Sequence, residues 1–203
     1  MLDPGPARVL ASASVREPIG CRHGMGSQRF MIRRAQVEDA AQLLEIYRPF
    51  VERTAVSLEV ELPSCEEFAA RMSAILATHE WLVAEQQGMV VGYAYGCKHR
   101  EREAYRFSAE VSAYVTGPMR CVGVGRALYG RLFERLAELG YCNALAGIVL
   151  PNEPSVAFHQ RLGFASVGVY HGSGFKLGRW HDVAWFERRL RHGAPADRSR
   201  SNA

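Results

Sequence analysis

"VSAYVTGPMRCVGVGRALYGRLFERLAELG", Val111 to Gly140, passes from an alternating apolar segment into a turn holding Gly123 and Gly125, and straight on into a helical pattern. Leu128, Leu132, Leu136 and Leu139 recur at four- and three-residue steps, the spacing of one helix face, and the helix ends near Gly140. A strand that feeds a helix with no loop between them points the helix's unpaired first N–H groups, and its positive dipole end, at whatever lies beyond the strand. That predicts an anion site. Two glycines alone would equally suit a tight connection; the context tips the reading. Gly123 and Gly125 lack the Cβ atoms that would keep a phosphate off the backbone, and Arg120 and Arg126 flank the turn with cations.

Two common phosphate loops do not fit. A dinucleotide fingerprint needs a third glycine where this chain has Leu128, and it normally opens a βαβ domain near the N-terminus. Gly125 to Gly130 has P-loop spacing, but Arg131-Leu132 replaces the Lys-Ser/Thr pair that reaches phosphate and magnesium. A nicotinamide enzyme and a nucleotide triphosphatase are therefore disfavoured.

Outward from this turn the chain reads as one domain. After a short strand at Met31 to Arg33, Ala40, Leu43, Leu44, Tyr47 and Val51 mark a helix face. Ser64 and Glu67 form a capping box for a second helix, whose buried face is Phe68, Met72, Ile75 and Leu76. "WLVAEQQGMVVGYAYG" reads as two strands joined at Gln87-Gly88, and a third strand, about Phe107 to Thr116, follows the charged loop from Lys98 to Arg106. "NALAGIVL" is a buried strand, Pro154 suits the first turn of a helix that Gly163 stops, and the last strands are Ala165 to His171 and Val183 to Arg189, with a Gly-rich loop between them. The order is β-α-α-β-β-β-α-β-α-β-β, with no internal repeat.

The 203 residues suit a single core; 48% are apolar, 23% charged and the net charge is +4. No segment approaches the ~18 uninterrupted apolar residues of a membrane span. The modest charge does not call for nucleic acid. Five cysteines are scattered singly without a CxxC pair, which fits reduced thiols in the cytoplasm. No His/Cys/Asp/Glu cluster has metal-ligand spacing. Residues 1–30, rich in Gly, Pro, Ser and Arg, read as a flexible extension or the product of an upstream start, 31–190 as the domain, and 191–203 as a polar, disordered tail.

Arg120-x-x-Gly123-x-Gly125, followed by Asn152-x-x-Ser155-x-x-x-His159-x-x-x-Gly163-Phe164, resembles the paired signatures of the GNAT superfamily of N-acetyltransferases. "NEPSVAFHQRLGF", "WLVAE", "AYRFSAEVSAYV" and "FKLGRWHDVAWFERRL" are similar to its phosphinothricin and methionine sulfone or sulfoximine branch, over about Met31 to Leu190. The resemblance implies an α/β (α+β) fold: a mixed, mostly antiparallel central sheet, splayed at the acetyl-CoA site and flanked by about four helices. It implies acetyl-CoA as cosubstrate, a small amino-acid analogue as the amine acceptor, a homodimer and no metal. Ser108, Phe107 and Leu58 depart from the branch pattern where the acceptor would sit. They leave another amine open as acceptor, and a non-catalytic acyl-CoA sensor is the alternative of a different class.

By the same resemblance, Arg120, Val122, Gly123, Val124, Gly125 and Arg126 hold the cofactor's pyrophosphate, Asn152 and Ser155 meet its pantetheine arm, and the Val115 backbone N–H polarises the thioester carbonyl. Glu110, on the strand before the loop, is the candidate base that an ammonium acceptor requires. Taken alone it reads as a salt-bridged strand residue. His159 stands where the superfamily carries a tyrosine that protonates the CoA thiolate, and is assigned as catalytic, acid or base. Alone it reads as a half-buried structural histidine. Arg102 and Tyr105 match the branch's anion-binding pair, in a loop that could equally be only solvated, while Lys176 and Trp180-His181 would close the pocket in a dimer.

Overall fold

The computed structural model describes residues 30–192, so the expectations for residues 1–29 and 193–203 lie outside the described residues. The elements are β1 (Met31–Arg34), α1 (Ala40–Arg53), α2 (Cys65–Leu76), β2 (Trp81–Gln86), β3 (Met89–Lys98), β4 (Ser108–Val115), α3 (Val124–Glu138), β5 (Asn143–Val149), α4 (Glu153–Arg161), β6 (Ala165–Lys176) and β7 (Arg179–Arg189). They build one seven-stranded sheet in the order β1-β2-β3-β4-β5-β7-β6. Every pairing is antiparallel except β4 with β5.

Local chemistry sets the boundaries. The Ser64 hydroxyl accepts from the Glu67 N–H while the Glu67 carboxylate accepts from the Ser64 N–H, so α2 begins on the expected capping box. Gln87 and Gly88 both take positive φ, which matches the right-handed twist of the two strands they join. The core has two halves, one on each face of the sheet. Leu128, Leu132 and Leu136 of α3 are fully buried against Ala109, Val111, Ala144 and Ala146. On the other half, Leu43 and Val51 of α1 and Phe68 and Met72 of α2 meet Trp81, Val83 and Tyr93. Each such side chain contributes about 1.5–3 kcal/mol.

Two features matter for the site. β4 pairs with β3 as far as Val115, but with β5 only over Ser108–Glu110 against Asn143–Leu145, while β5 continues along β7 to Val149. Beyond Glu110 the two parallel strands part. The second feature corrects the expected Gly-rich loop: β6 and β7 form one long hairpin that turns at Leu177-Gly178, both with positive φ. Register shifts at Ser166/Gly168 and Tyr170/Gly174 absorb the irregularity as bulges, so the glycines bend the strand without ending it.

Candidate active site

The expected loopless passage from strand to helix does not hold: eight residues, Thr116 to Gly123, separate β4 from α3 and include a 3-10 turn at Gly117–Met119, where Pro118 has no N–H to continue a strand ladder. Arg120 is extended, Cys121 and Gly123 have φ of 64° and 93°, and α3 starts at Val124 with no side chain capping it. Its first helical hydrogen bond runs from the Ala127 N–H to the Gly123 carbonyl, so the preceding amides lie at the uncapped end. The two glycines have different reasons. Around Gly123 a Cβ would meet open space, so its requirement is the left-handed φ; at Gly125 a Cβ would sit 3.3 Å from the Phe158 ring. Val124 is fully buried in the core and presents only backbone to the tip, whereas Val122 and Arg126 are exposed. The Arg120 guanidinium lies 5.3 Å from the Phe50 ring centroid, which props this loop against α1.

Next to that tip, with Phe158 between Gly125 and the opening, a cleft lies between the parted strands, lined by Val111 to Tyr114 of β4, Ala146 to Val149 of β5, and Tyr129, Asn152, Ser155, Phe158 and His159. Asn152 caps α4 through its side-chain oxygen, which accepts from the Ser155 N–H at 3.3 Å. Val115 closes β4 at the head of this gap. A second cavity of about 440 Å³ opens on the same sheet, lined by Tyr47, Tyr95, Tyr114, Tyr170 and Trp185 with Glu59, Arg71 and Glu110. Val56, Tyr114, Gly147 and Val149 line both spaces. A narrow chamber and a wider one therefore meet where the sheet divides.

His159 is buried on α4, and its Nδ1 lies 2.8 Å from the Ser155 carbonyl oxygen. A carbonyl only accepts, so Nδ1 carries the hydrogen and Nε2 holds the lone pair. That lone pair faces the Tyr129 hydroxyl at 3.3 Å. Burial pushes the His159 pKa below its ordinary value and the Tyr129 pKa well above. The neutral pair thus keeps its mobile proton on Tyr129, a residue that sequence spacing assigns merely to the helix α3.

Glu110 projects into the wider cavity, and His99 Nδ1 lies 3.4 Å from its Oε2. The His99 side chain is largely buried, with Tyr105 and Trp185 edge-on at ring distances of 5.9 and 5.8 Å. Cys97 is the cross-strand partner of Glu110, and burial together with that carboxylate pushes its thiol up to about 12. At neutral pH the thiol stays protonated, which makes it a poor acyl carrier.

The expected anion-binding pair is not brought into this cavity. Tyr105 lines a neighbouring hollow with His99, Ser108 and Asn143, and Arg102 is exposed at the start of a short 3-10 turn. The guanidinium on the cavity wall is Arg71 of α2, bonded to Glu59 at 2.5 Å. Nothing in sequence spacing marks Arg71, His99 or Tyr129, because each is set by packing between distant segments. Trp185 Nε1 and Glu59 Oε2 are buried with no protein partner, one donor and one acceptor on the same wall. Among the described residues no cluster of three His, Cys, Asp or Glu could hold a metal ion, and no helix is long and apolar enough to cross a membrane.

A sheet parted between parallel strands, with an uncapped helix tip at one end of the gap and a second cavity at the other, is the architecture of an acetyltransferase. Residues 32–185 match the acetyltransferase (GNAT) domain family, and the chain belongs to it. It is 33% identical over 164 residues to the phosphinothricin N-acetyltransferase of Streptomyces viridochromogenes, covering 81% of this chain and 90% of that one. To the L-methionine sulfoximine/L-methionine sulfone acetyltransferase of Salmonella typhimurium it is 32% identical, covering 81% and 97%. Among solved structures, the phosphinothricin acetyltransferase of Sinorhizobium meliloti in complex with AcCoA superposes with a TM-score of 0.79 at 36% identity, over 83% of this chain and 94% of that one.

Proposed function

We propose that the protein transfers the acetyl group of acetyl-CoA to the α-amine of a small amino-acid analogue of the phosphinothricin, methionine sulfone or methionine sulfoximine type. The junction of the two chambers carries this reading. The narrow one lies next to the helix tip and accepts a slender thioester arm, and the wider one offers a carboxylate, Glu110, and a guanidinium, Arg71, to a zwitterion. The names of the relatives supply the acceptor class.

In this mechanism Glu110 receives the proton of the acceptor's ammonium, and His99 holds the carboxylate in place. The freed amine attacks the thioester carbon and the C–N bond forms; as the C–S bond breaks, Tyr129, backed by His159, gives its proton to the leaving thiolate, and the second proton of the newly acylated nitrogen passes to Tyr129 and restores its hydroxyl, while Glu110 releases its own to solvent. The uncapped amides of Val124, Gly125 and Arg126, with Arg120 and the backbone of Val122 and Gly123, receive the pyrophosphate. Asn152 and Ser155 flank the pantetheine arm, and the Val115 N–H polarises the carbonyl. Within the wider cavity the acceptor's distal anion meets Arg71, while Arg102 and Tyr105, the pair the resemblance implied, lie outside it. Tyr129→Phe should lower kcat about a hundredfold and leave the KM for acetyl-CoA unchanged. Equal kcat values for the two proteins would remove Tyr129 as the proton donor.

We also propose a cytoplasmic homodimer. Val167, Tyr170, Phe175, Leu177 and Trp180 leave an exposed apolar surface on the β6–β7 hairpin, at the sheet's edge. A monomer mass at micromolar concentration in sedimentation equilibrium would remove the dimer. The function itself is tested by mixing protein, acetyl-CoA and a panel of amino-acid analogues and following free thiol. Release with methionine sulfone or phosphinothricin is the expected result; acetyl-CoA binding with no release for any amine would make the protein a sensor.

A further inference from the structure

The segment between α1 and α2 crosses the mouth of the wider cavity, with Val56, Ser57, Leu58 and Glu59 on its wall. This strap is irregular backbone with no strand partner, yet it is tied to three other elements. The Ser57 hydroxyl meets the Tyr47 hydroxyl of α1 at 2.5 Å, and Glu59 is bonded to Arg71 of α2. The third tie comes from the far end of the chain. Lys176, at the tip of β6, is only 4% exposed, and its ammonium donates to the Ser57 carbonyl at 2.7 Å.

A buried lysine is costly unless its charge is used, and a charged donor on a backbone carbonyl is among the stronger hydrogen bonds. Its surroundings hold it there. The His181 ring, itself 3% exposed, lies with Nε2 3.0 Å from the Lys176 carbonyl and fixes the hairpin tip from the opposite strand. Two residues earlier, Gly174 admits Leu58 so closely that a Cβ there would lie 2.7 Å from the leucine Cδ1. The hairpin and the strap are thus fitted to each other at two points. One is polar and one is apolar.

We infer that Lys176 is a positioning residue for acceptor binding: it pins the Ser57–Glu59 strap across the cavity, so that the hairpin at the sheet's edge sets the acceptor's affinity. The inference rests on the reading of this cavity as the acceptor's seat. The hydrogen bonds of Lys176 go to the strap and to its own hairpin and none to the helix tip that receives the cofactor, so the two substrates respond differently to its loss. Holding the strap closed keeps Leu58 and Glu59 against the acceptor, whereas a released strap must be ordered anew at each binding event.

The test compares the wild-type protein with Lys176→Met, a substitution of similar length that needs no buried charge, and reads Lys176→Gln in the same way should the first fail to fold. With L-methionine sulfone as acceptor, its KM should rise about tenfold and the KM for acetyl-CoA should stay within about twofold, since one charge-assisted bond is lost at one site only. Deuterium uptake by the amides of 55–60 should quicken, and uptake in α3 should not. Unchanged uptake in the strap overturns the pin. Quickened uptake with an unchanged acceptor KM overturns its role in binding, and Trp185→Leu then separates the causes. This variant alters the cavity wall and leaves the strap alone. If it raises the acceptor KM, the cavity reading survives and only the Lys176 proposal falls; if it does not, the cavity reading has failed.

Discussion

Glu110→Gln is expected to lower kcat about a thousandfold while leaving the KM for acetyl-CoA unchanged. The magnitude follows from the role, since a positioned general base contributes about 10²- to 10⁴-fold. Glutamine preserves shape and still accepts a hydrogen bond from His99, but it cannot take the ammonium proton. Because the side chain projects into the wider chamber and not along the thioester gap, cofactor binding should be spared. The pH dependence of kcat should change with it. Stopped thiol assays across pH check both parts, and a variant turning over at the wild-type rate would return Glu110 to a structural role.

Gly125→Val should raise the KM for acetyl-CoA more than about a hundredfold, roughly 2.7 kcal/mol. Two effects act together. A Cβ at this position already stands 3.3 Å from the Phe158 ring, and the valine methyls must push that ring, which lines the thioester gap, or tilt the start of α3. Either movement misaims the amides that receive the pyrophosphate, each worth about 1.5–3 kcal/mol as a bond to a charged group. Gly125→Ala with Phe158→Leu apportions the effect: recovery of the KM assigns the glycine to packing, and persistence assigns it to phosphate approach. Gly123 offers the contrast, because no protein atom stands near the position of its Cβ, so alanine there meets no clash within the protein and brings the strain of its left-handed φ. An unchanged KM in Gly125→Val would remove the cradle.

The helices were legible because their signals are local. The Ser64–Glu67 box, the buried stripe of α3 and the Gln87-Gly88 turn each depend on residues within one or two turns of chain. The β6–β7 hairpin is less legible for a related reason. Gly168, Gly172 and Gly174 look like loop residues when read singly, but pairing to β7 supplies hydrogen bonds that bulges can accommodate. Glu110 and His159 are singled out by their motif, although each alone reads as an ordinary strand or helix residue. Their partners His99 and Tyr129 belong to no motif, and Arg71 gains its place only because α2 packs over the strap.

By itself, then, the sequence determined the order of elements, the helix tip with its two glycines, and the paired signatures that mark the GNAT family. Tertiary structure alone decided where β4 and β5 part, which guanidinium enters the wider cavity, and how Lys176 reaches across 119 positions to Ser57. The physical reason is range. Caps, turns and amphipathic stripes are satisfied within a few residues, whereas a buried ammonium or carboxylate takes whichever partner the folded core brings within hydrogen-bond distance.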